Sequence, residues 1–376
     1  MSSQPNMFTA SSLFERVERA RRRKTQFRDT QITLAHGSGG KAMHDLIEAV
    51  FVETLRNPLL EKLEDQAIFT VGNNHGPANT AVRFAFTTDS FVVDPLFFPG
   101  GDIGLLAVNG TVNDLAVSGA RPLYLSASFI IEEGFPIDDL RRIVTSMRTA
   151  ADAAGILVVT GDTKVVQRGS ADKLFITTAG IGVVEKNMQI SAAAARPGDK
   201  VILSGPIGDH GVTVMVARGE LELESNIGSD TAALNSLVQE MLSEAEQCGE
   251  IEAIHCLRDP TRGGVATTLN EFAEASDVAI RIYEERIPVR EEVKGACEIL
   301  GLDSLYVANE GKLVAVVAAG IADRIVRRMR EHPLGCDACI VGEVLPEPRG
   351  IVSMVTGFGG TRIVDMLVGE QLPRIC

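Results

Sequence analysis

From about Gln31 the chain alternates short apolar runs with longer stretches of helical periodicity. Residues 82–93 and 123–131 read as strands, with a helical stretch of small and apolar side chains, 104–118, between them. Ile137, Leu140, Ile143, Val144, Met147, Ala150 and Ala151 recur at the spacing of one helix face, which predicts a helix over 136–154 stopped by Gly155. Residues 156–160 then form a compact strand, too hydrophobic to be exposed, and 174–184 another. The turn cluster Arg196-Pro197-Gly198-Asp199 opens a second half of the same texture. It holds a strand at 201–204, helices near 209–218, 230–246, 263–276 and 289–301, a strand at 313–319, a helix at 322–331 and a strand at 351–355. No fixed-period repeat runs through it. The pattern predicts an α/β (α+β) protein of two domains, 31–195 and 196–350, followed by a final strand and mobile tail, 351–376. Residues 1–30 stand apart. Arg19, Arg21, Arg22, Arg23, Lys24 and Arg28 make them locally basic, but Glu15, Glu18 and the lack of an apolar stretch argue for a solvated extension and against a signal peptide.

Charge narrows the partners. Lys and Arg number 36 against 50 Asp and Glu, a net charge of −14, so a broad nucleic-acid interface is opposed electrostatically. Such a chain can accept an anionic nucleotide only with local help from a divalent metal or glycine-rich backbone donors. Apolar runs such as 313–321 fall short of the roughly 18 residues of a membrane span. Cys248, Cys256, Cys297, Cys336, Cys339 and Cys376 are too sparse for a disulfide framework, which points to a reducing compartment and a cytoplasmic protein.

His36-Gly37-Ser38-Gly39-Gly40-Lys41 precedes a helix whose first N–H groups could receive a phosphate. It is not a Walker loop, because Ala35 and Ala42 stand where Gly and Ser or Thr are needed, and alone it is equally a flexible helix entry. Five aspartates alter the balance, each placed where a β-rich run ends or a turn begins. They are Asp65 before Gln66-Ala67, Asp89 in Thr87-Thr88-Asp89-Ser90, Asp114 after Asn113, Asp162 in Gly161-Asp162-Thr163-Lys164, and Asp259 in Arg258-Asp259-Pro260-Thr261-Arg262-Gly263-Gly264. One such residue is more often a cap or turn former. The set suits Mg2+, which takes a few carboxylates together with water and substrate phosphates.

In this order the motifs resemble the superfamily of aminoimidazole ribonucleotide synthetase, selenophosphate synthetase and thiamine-monophosphate kinase, over about residues 31–350. Within it, Gly161-Asp162-Thr163-Lys164-Val165-Val166, the motif from Arg258 to Gly264 and the terminal Pro373-Arg374-Ile375-Cys376 are similar to the carbamoyl dehydratases of nickel–iron hydrogenase maturation. The resemblance implies a two-domain PurM-like fold whose N-terminal mixed sheets join in a homodimer. It implies ATP between the glycine-rich loop and the carboxylates, with Gly37, Gly39, Gly40, Lys41, Asp89, Asn113, Asp114, Gly161, Asp162, Thr163 and Arg262 in contact, and Mg2+ on Asp65, Asp89, Asp114 and Asp259. It also implies a reaction: HypF places a carbamoyl group on Cys376, ATP activates the amide oxygen, dehydration gives a thiocyanate, and the cyanide passes to iron on a HypC–HypD complex. Lys164 and Glu310 are the positions it suggests for the base.

The residues can be weighed against that chemistry. A free thiol, with a pKa of about 8.5, needs a cationic neighbour or a partner's active site to become nucleophilic. Arg374 is two residues from Cys376, while the terminal carboxylate opposes it. Twenty residues from Gly357 onward reach about 66 Å when extended, with Gly359 and Gly360 as a hinge and Pro373 stiffening the end. His210, in Gly208-Asp209-His210-Gly211, is a base or simply a helix-start histidine, Glu310 is a base or an exposed loop carboxylate, and Lys164 is a base or a phosphate-binding cation. Cys336-Asp337-Ala338-Cys339 has metal-knuckle spacing but no second pair nearby, which is more often packing than a site. Three rival readings remain. A selenophosphate synthetase usually needs a reactive N-terminal cysteine, and no Cys precedes Cys248; a thiamine-phosphate kinase leaves Cys376 accidental; a non-catalytic scaffold leaves the intact carboxylates unexplained.

Overall fold

The computed structural model describes residues 29–72, 81–185, 188–219, 226–369 and 374–376. The basic N-terminal run and Pro373 lie outside the described residues. Five strands form the first sheet: β1 (Ala67–Val71), β2 (Val82–Phe91), β5 (Arg121–Glu132), β6 (Leu157–Val166) and β7 (Leu174–Val184), with a short ribbon of β3 (Phe97–Phe98) and β4 (Gly101–Asp102) beside it. Its order is β1-β2-β7-β5-β6, and only β5 and β6 run parallel, as the helical crossover Ile137–Ala154 between them requires.

Helix Ile103–Val117 lies under this sheet and has no polar face, because all its residues except Leu105 and Asp114 are buried. The Asp102 carboxylate caps it, accepting from the Gly104 and Leu105 amides at 2.8 and 3.0 Å. Its C-terminal Ala116 and Val117 enter the core of the second domain beside Leu237 and Met241, so the helix ties the two domains together.

The second sheet contains β8 (Lys200–Leu203), β9 (Ile254–Arg258), β10 (Ala279–Tyr283), β11 (Val314–Val317), β12 (Cys339–Leu345), β13 (Ile351–Val355) and β14 (Thr361–Val364), in the order β14-β13-β10-β12-β8-β11-β9. Alternation along β8 sends Ile202 into one core with helices Asn235–Gln247 and Ala319–Arg330, and Val201 and Leu203 into another with helix Gly264–Ala275. No helix among the described residues is long and apolar enough to cross a membrane.

Three expectations change. Residues 156–160 are not a buried strand; β6 extends through Val166 as the sheet's edge, with Leu157, Val159 and Val165 exposed at 61, 57 and 69%. Asp89, Asp114 and Asp162 lie inside elements and not at their ends. The Gly357–Gly360 segment is a turn between β13 and β14, closed by the Thr356 amide donating to the Gly360 carbonyl at 2.9 Å. The tail therefore starts after Val364, and its twelve residues span at most about 40 Å.

Candidate active site

Four elements bring four of the five aspartates together. Asp65 comes from the turn before β1, Asp89 from β2, Asp114 from the buried helix, and Asp259 from the end of β9. Asp114 and Asp259 feel the charges of their aspartate neighbours, and burial works against charge on all four. Burial pushes Asp65 up to about 6, less than it otherwise would because the Arg258 guanidinium lies alongside. Asp259 is pushed up to about 8 by burial and then by Asp65 and Asp89. Asp114 is raised well above its usual range by burial and then by Asp89, Asp259 and Asp65. Asp89 is raised by burial while Arg262 pulls it down.

Asp114 accepts from the Thr87 hydroxyl at 2.7 Å, and Asp65 accepts from Arg258 at 2.8 Å. Arg258 is buried and also pairs with Glu271, so sequence reasoning missed a central residue that directly precedes Asp259; a buried Arg needs just such carboxylate partners. A set of oxygen donors alone is the chemistry a hard divalent cation takes, and its charge would draw off the protons that burial favours. Among the described residues, however, no three acidic, His or Cys side chains converge on one metal-sized point.

The glycine-rich loop packs against the Arg262 segment and the tail. A Cβ at Gly39, which has φ +75°, would collide with the Arg262 backbone, and one at Gly40 with the Leu367 carbonyl. Arg262 donates to the Gly37 carbonyl at 3.2 Å. The Lys41 amide at the helix start is already taken, donating to the Leu367 carbonyl at 2.9 Å, and the Ser38 hydroxyl donates to the Gly369 carbonyl at 3.1 Å. The tail thus covers the donors expected to face a phosphate.

At the chain end, Ile375 is 1% exposed in the core of the first domain and Cys376 is half-buried against it. Burying the Ile375 side chain contributes about 2 kcal/mol to holding the tail. Burial drives the Cys376 thiol far up, Arg262 pulls it back, and Glu310 and Asp89 add to the rise. Seated here, Cys376 is a thiol and not a thiolate. Glu310 is not an exposed loop carboxylate. It is buried, its pKa is raised well above normal by burial and by Asp259, Asp230 and Asp89, and its Oε1 has no hydrogen-bond partner among the described residues.

Asn113 is buried and fully used. It donates to the Ala232 and Glu310 carbonyls and accepts from the Leu234 amide at 2.8 Å, which makes it a brace for Glu310 in place of a nucleotide contact. His210 is not poised as a base. Nδ1 lies 2.8 Å from the Ser229 hydroxyl and Nε2 2.8 Å from the Ile375 carbonyl, and burial lowers its pKa.

Gly161, Asp162, Thr163 and Lys164 stay apart from these residues. Asp162 and Lys164 pair with each other at 2.8 Å on exposed β6. Through the register Asp89–Thr178–Ala127–Gly161, they lie three strands from Asp89. At the usual spacing of neighbouring strands this is about 14 Å. Cys336 is exposed and Cys339 half-buried, its thiol donating to the Arg286 carbonyl at 3.5 Å, with no further Cys or His completing a metal set among the described residues.

A buried acidic cluster between two α/β domains, with a glycine loop at its rim, defines a class. Residues 64–184 match the N-terminal domain of AIR synthase related proteins and residues 196–355 their C-terminal domain, so the chain belongs to that family. Within it the match is closer still. The chain is 53% identical over 353 residues, 94% of its length and 99% of the other's, to Carbamoyl dehydratase HypE of Azotobacter vinelandii, and it belongs to the HypE family of carbamoyl dehydratases. It also resembles the crystal structure of a HypE–HypF complex (TM-score 0.78, 49% identity, covering 86% of this chain and 99% of that one). A second likeness is to hydrogenase maturation protein HypE in complex with ATP (TM-score 0.74, 46% identity, covering 92 and 100%).

Proposed function

We propose that this enzyme uses ATP to dehydrate a carbamoyl group carried on its own Cys376, forming a thiocyanate that supplies cyanide to hydrogenase iron. The observation that carries this reading is the seating of Cys376 beside Arg262, Glu310 and Asp89, at the rim of the acidic cluster. A free-substrate kinase has no use for a terminal cysteine held there.

Arg262 sits where it can orient the carbamoyl oxygen and offset the charge that gathers on it. That oxygen attacks the γ-phosphorus of ATP, the bond to the β-bridging oxygen breaks, and ADP leaves. Glu310, deprotonated, takes an N–H proton, its buried position making it a stronger base than a solvated carboxylate. The departing phosphate takes the second N–H proton as the C–O bond breaks and the C≡N bond closes; relative to the carbamoyl group, one water is lost. Mg2+, when bound, neutralises phosphate charge, and Asp65, Asp89, Asp114 and Asp259 are the residues that would hold it.

Asp162, Thr163, Gly161 and Lys164 lie on an open apolar edge, so their roles toward nucleotide and proton transfer belong with a homodimer in which a second copy covers β6. HypF as carbamoyl donor is supported by the HypE–HypF complex, and a HypC–HypD acceptor fits a tail able to reach outward.

Intact-mass analysis tests the reading. After incubation with the carbamoyl donor system, Cys376 gains a carbamoyl adduct that loses one water when Mg-ATP is added, and Cys376→Ala gains none. An adduct on Cys376→Ala, or a carbamoylated wild type that keeps its water with Mg-ATP, overturns it.

A further inference from the structure

The last three residues are each gripped at a backbone oxygen. An oxygen of the Cys376 terminal carboxylate accepts from the Val92 amide at 3.0 Å, and the Arg374 carbonyl from the Asp94 amide at 3.3 Å and the Arg218 guanidinium at 2.8 Å. These two face the chain that follows β2. The carbonyl between them, that of Ile375, is met by His210 alone among the described hydrogen bonds, at 2.8 Å. Arg374 takes φ +53°, an uncommon conformation for a side-chain-bearing residue, so the end of the chain is bent to fit its seat and does not merely lie there.

His210 is itself built in. It sits at the start of helix Asp209–Arg218 with no exposed surface, and its ring meets the edge of Phe98 at 5.6 Å and 82°. A carbonyl oxygen only accepts, so Nε2 carries the proton, and Nδ1 accepts from the Ser229 hydroxyl. Ser229 is fixed in turn. Its amide donates to the Pro99 carbonyl at 2.9 Å, and its hydroxyl oxygen accepts from the Thr231 amide at 3.2 Å. The same loop holds the residue opposite the thiol, because Asp230 accepts from the Glu310 amide at 3.1 Å.

We propose that His210 is the positioning residue of the carrier tail: as the Nε2–H tautomer set by Ser229, it holds the Ile375 carbonyl and so turns the Cys376 side chain toward Arg262 and Glu310. It touches neither the carbamoyl group nor ATP. Its effect on dehydration rests on the proposed role of Cys376; its effect on the seating of the tail does not.

Site-resolved alkylation of the full-length protein by iodoacetamide, read by mass spectrometry, tests it without any substrate. Cys256 and Cys297, buried in the second domain, serve as internal controls. His210→Ala is expected to speed alkylation of Cys376 about tenfold, the order lost with one hydrogen bond, while Cys256 and Cys297 keep their wild-type rates. Ser229→Ala, which frees the tautomer, gives a smaller change in the same direction, and His210→Gln, which keeps an N–H donor, returns the rate toward wild type. An unchanged Cys376 rate in both His210→Ala and Ser229→Ala overturns the proposal. So does acceleration of Cys256 and Cys297 together with Cys376, which marks general loosening of the fold. A wild type that never loses water with Mg-ATP strikes the dehydratase reading and leaves this comparison intact.

Discussion

Asp89 and Asp162 stand in the sequence as similar signals, each an aspartate among threonines in or beside a β-rich run. In the fold they are opposites. Asp89 projects from a central strand toward Asp114, Arg262 and Cys376, and burial raises its pKa. Asp162 lies on the open edge strand, and its hydrogen bond from Lys164 lowers its pKa. The first belongs to a site assembled within one chain. The second lies on an edge strand that Leu157, Val159 and Val165 leave apolar in water, the surface the proposed homodimer would cover. Motif likeness is the same for both, and only the fold separates them.

The largest expected effect breaks the central half of this comparison. Asp89→Asn keeps the shape of the side chain but removes the charge, and should slow the ATP-dependent loss of water by at least about 100-fold, the order seen when one preorganised charge or donor is lost. Carbamoylation of Cys376 should proceed normally, since Asp89 acts only once the tail is seated. Intact-mass time courses separate the two steps. If both fail together while the melting temperature holds, Asp89 is not confined to the ATP step and the distinction collapses.

A smaller effect tests the edge. Val159→Lys places a charge near the start of the exposed strand, the device natural sheets use to keep edges apart. Sedimentation velocity should show the wild-type chain as a dimer and the variant dissociating at concentrations at least about tenfold higher, with the melting temperature of the chain little changed because the residue is already 57% exposed. A wild type that is monomeric throughout, or a variant that dimerises as tightly, would leave β6 uncovered and remove the reason for assigning Asp162 and Lys164 to an interface.

How much of this the sequence disclosed follows the same division. The helices with a clear apolar face, such as Ile137–Ala154, were legible because periodicity records burial against one neighbour. Strands β9 and β10 were not, since each is short and carries polar residues, His255 and Arg258 in β9 among them, whose partners lie far off in sequence. Residues 156–160 misled because an apolar run reports a surface that wants covering without saying by which chain. The types of the four clustered aspartates pointed to a shared task, yet nothing local revealed that Arg258 lies among them or that Asn113 is consumed in bracing Glu310. The seat of the tail was invisible for the same reason: His210 and Ile375 are 165 positions apart and meet only through the fold.

The smallest effect is in stability, and here the two regions carry opposite signs. A carboxyl whose folded pKa is raised favours the folded state most below its unfolded value, near 4, and loses that contribution as pH climbs through the folded value. For Asp65 and Asp259 those values are about 6 and about 8, and Asp114, Asp89 and Glu310 shift the same way, so the cluster weakens the metal-free protein as pH rises from 5 to 8. His44, raised by its hydrogen bond to Glu271, adds to that slope, while His210, lowered by burial, offsets part of it below the ordinary histidine value. Asp162 runs the other way, its lowered pKa giving a contribution lost only as pH falls below the usual carboxylate range, and its full exposure leaves that contribution screened. In EDTA the melting temperature should therefore fall by a few degrees between pH 5 and pH 8, and Mg2+ should raise it more at pH 8, where the carboxylates are free to bind it, than at pH 5. Asp259→Asn should flatten the slope and Asp162→Asn should leave it unchanged. A metal-free melting temperature that climbs steadily from pH 5 to pH 8 would mean the clustered carboxyls are ionised in the folded protein, and that charge already in place inside the chain does the work assigned to a cation.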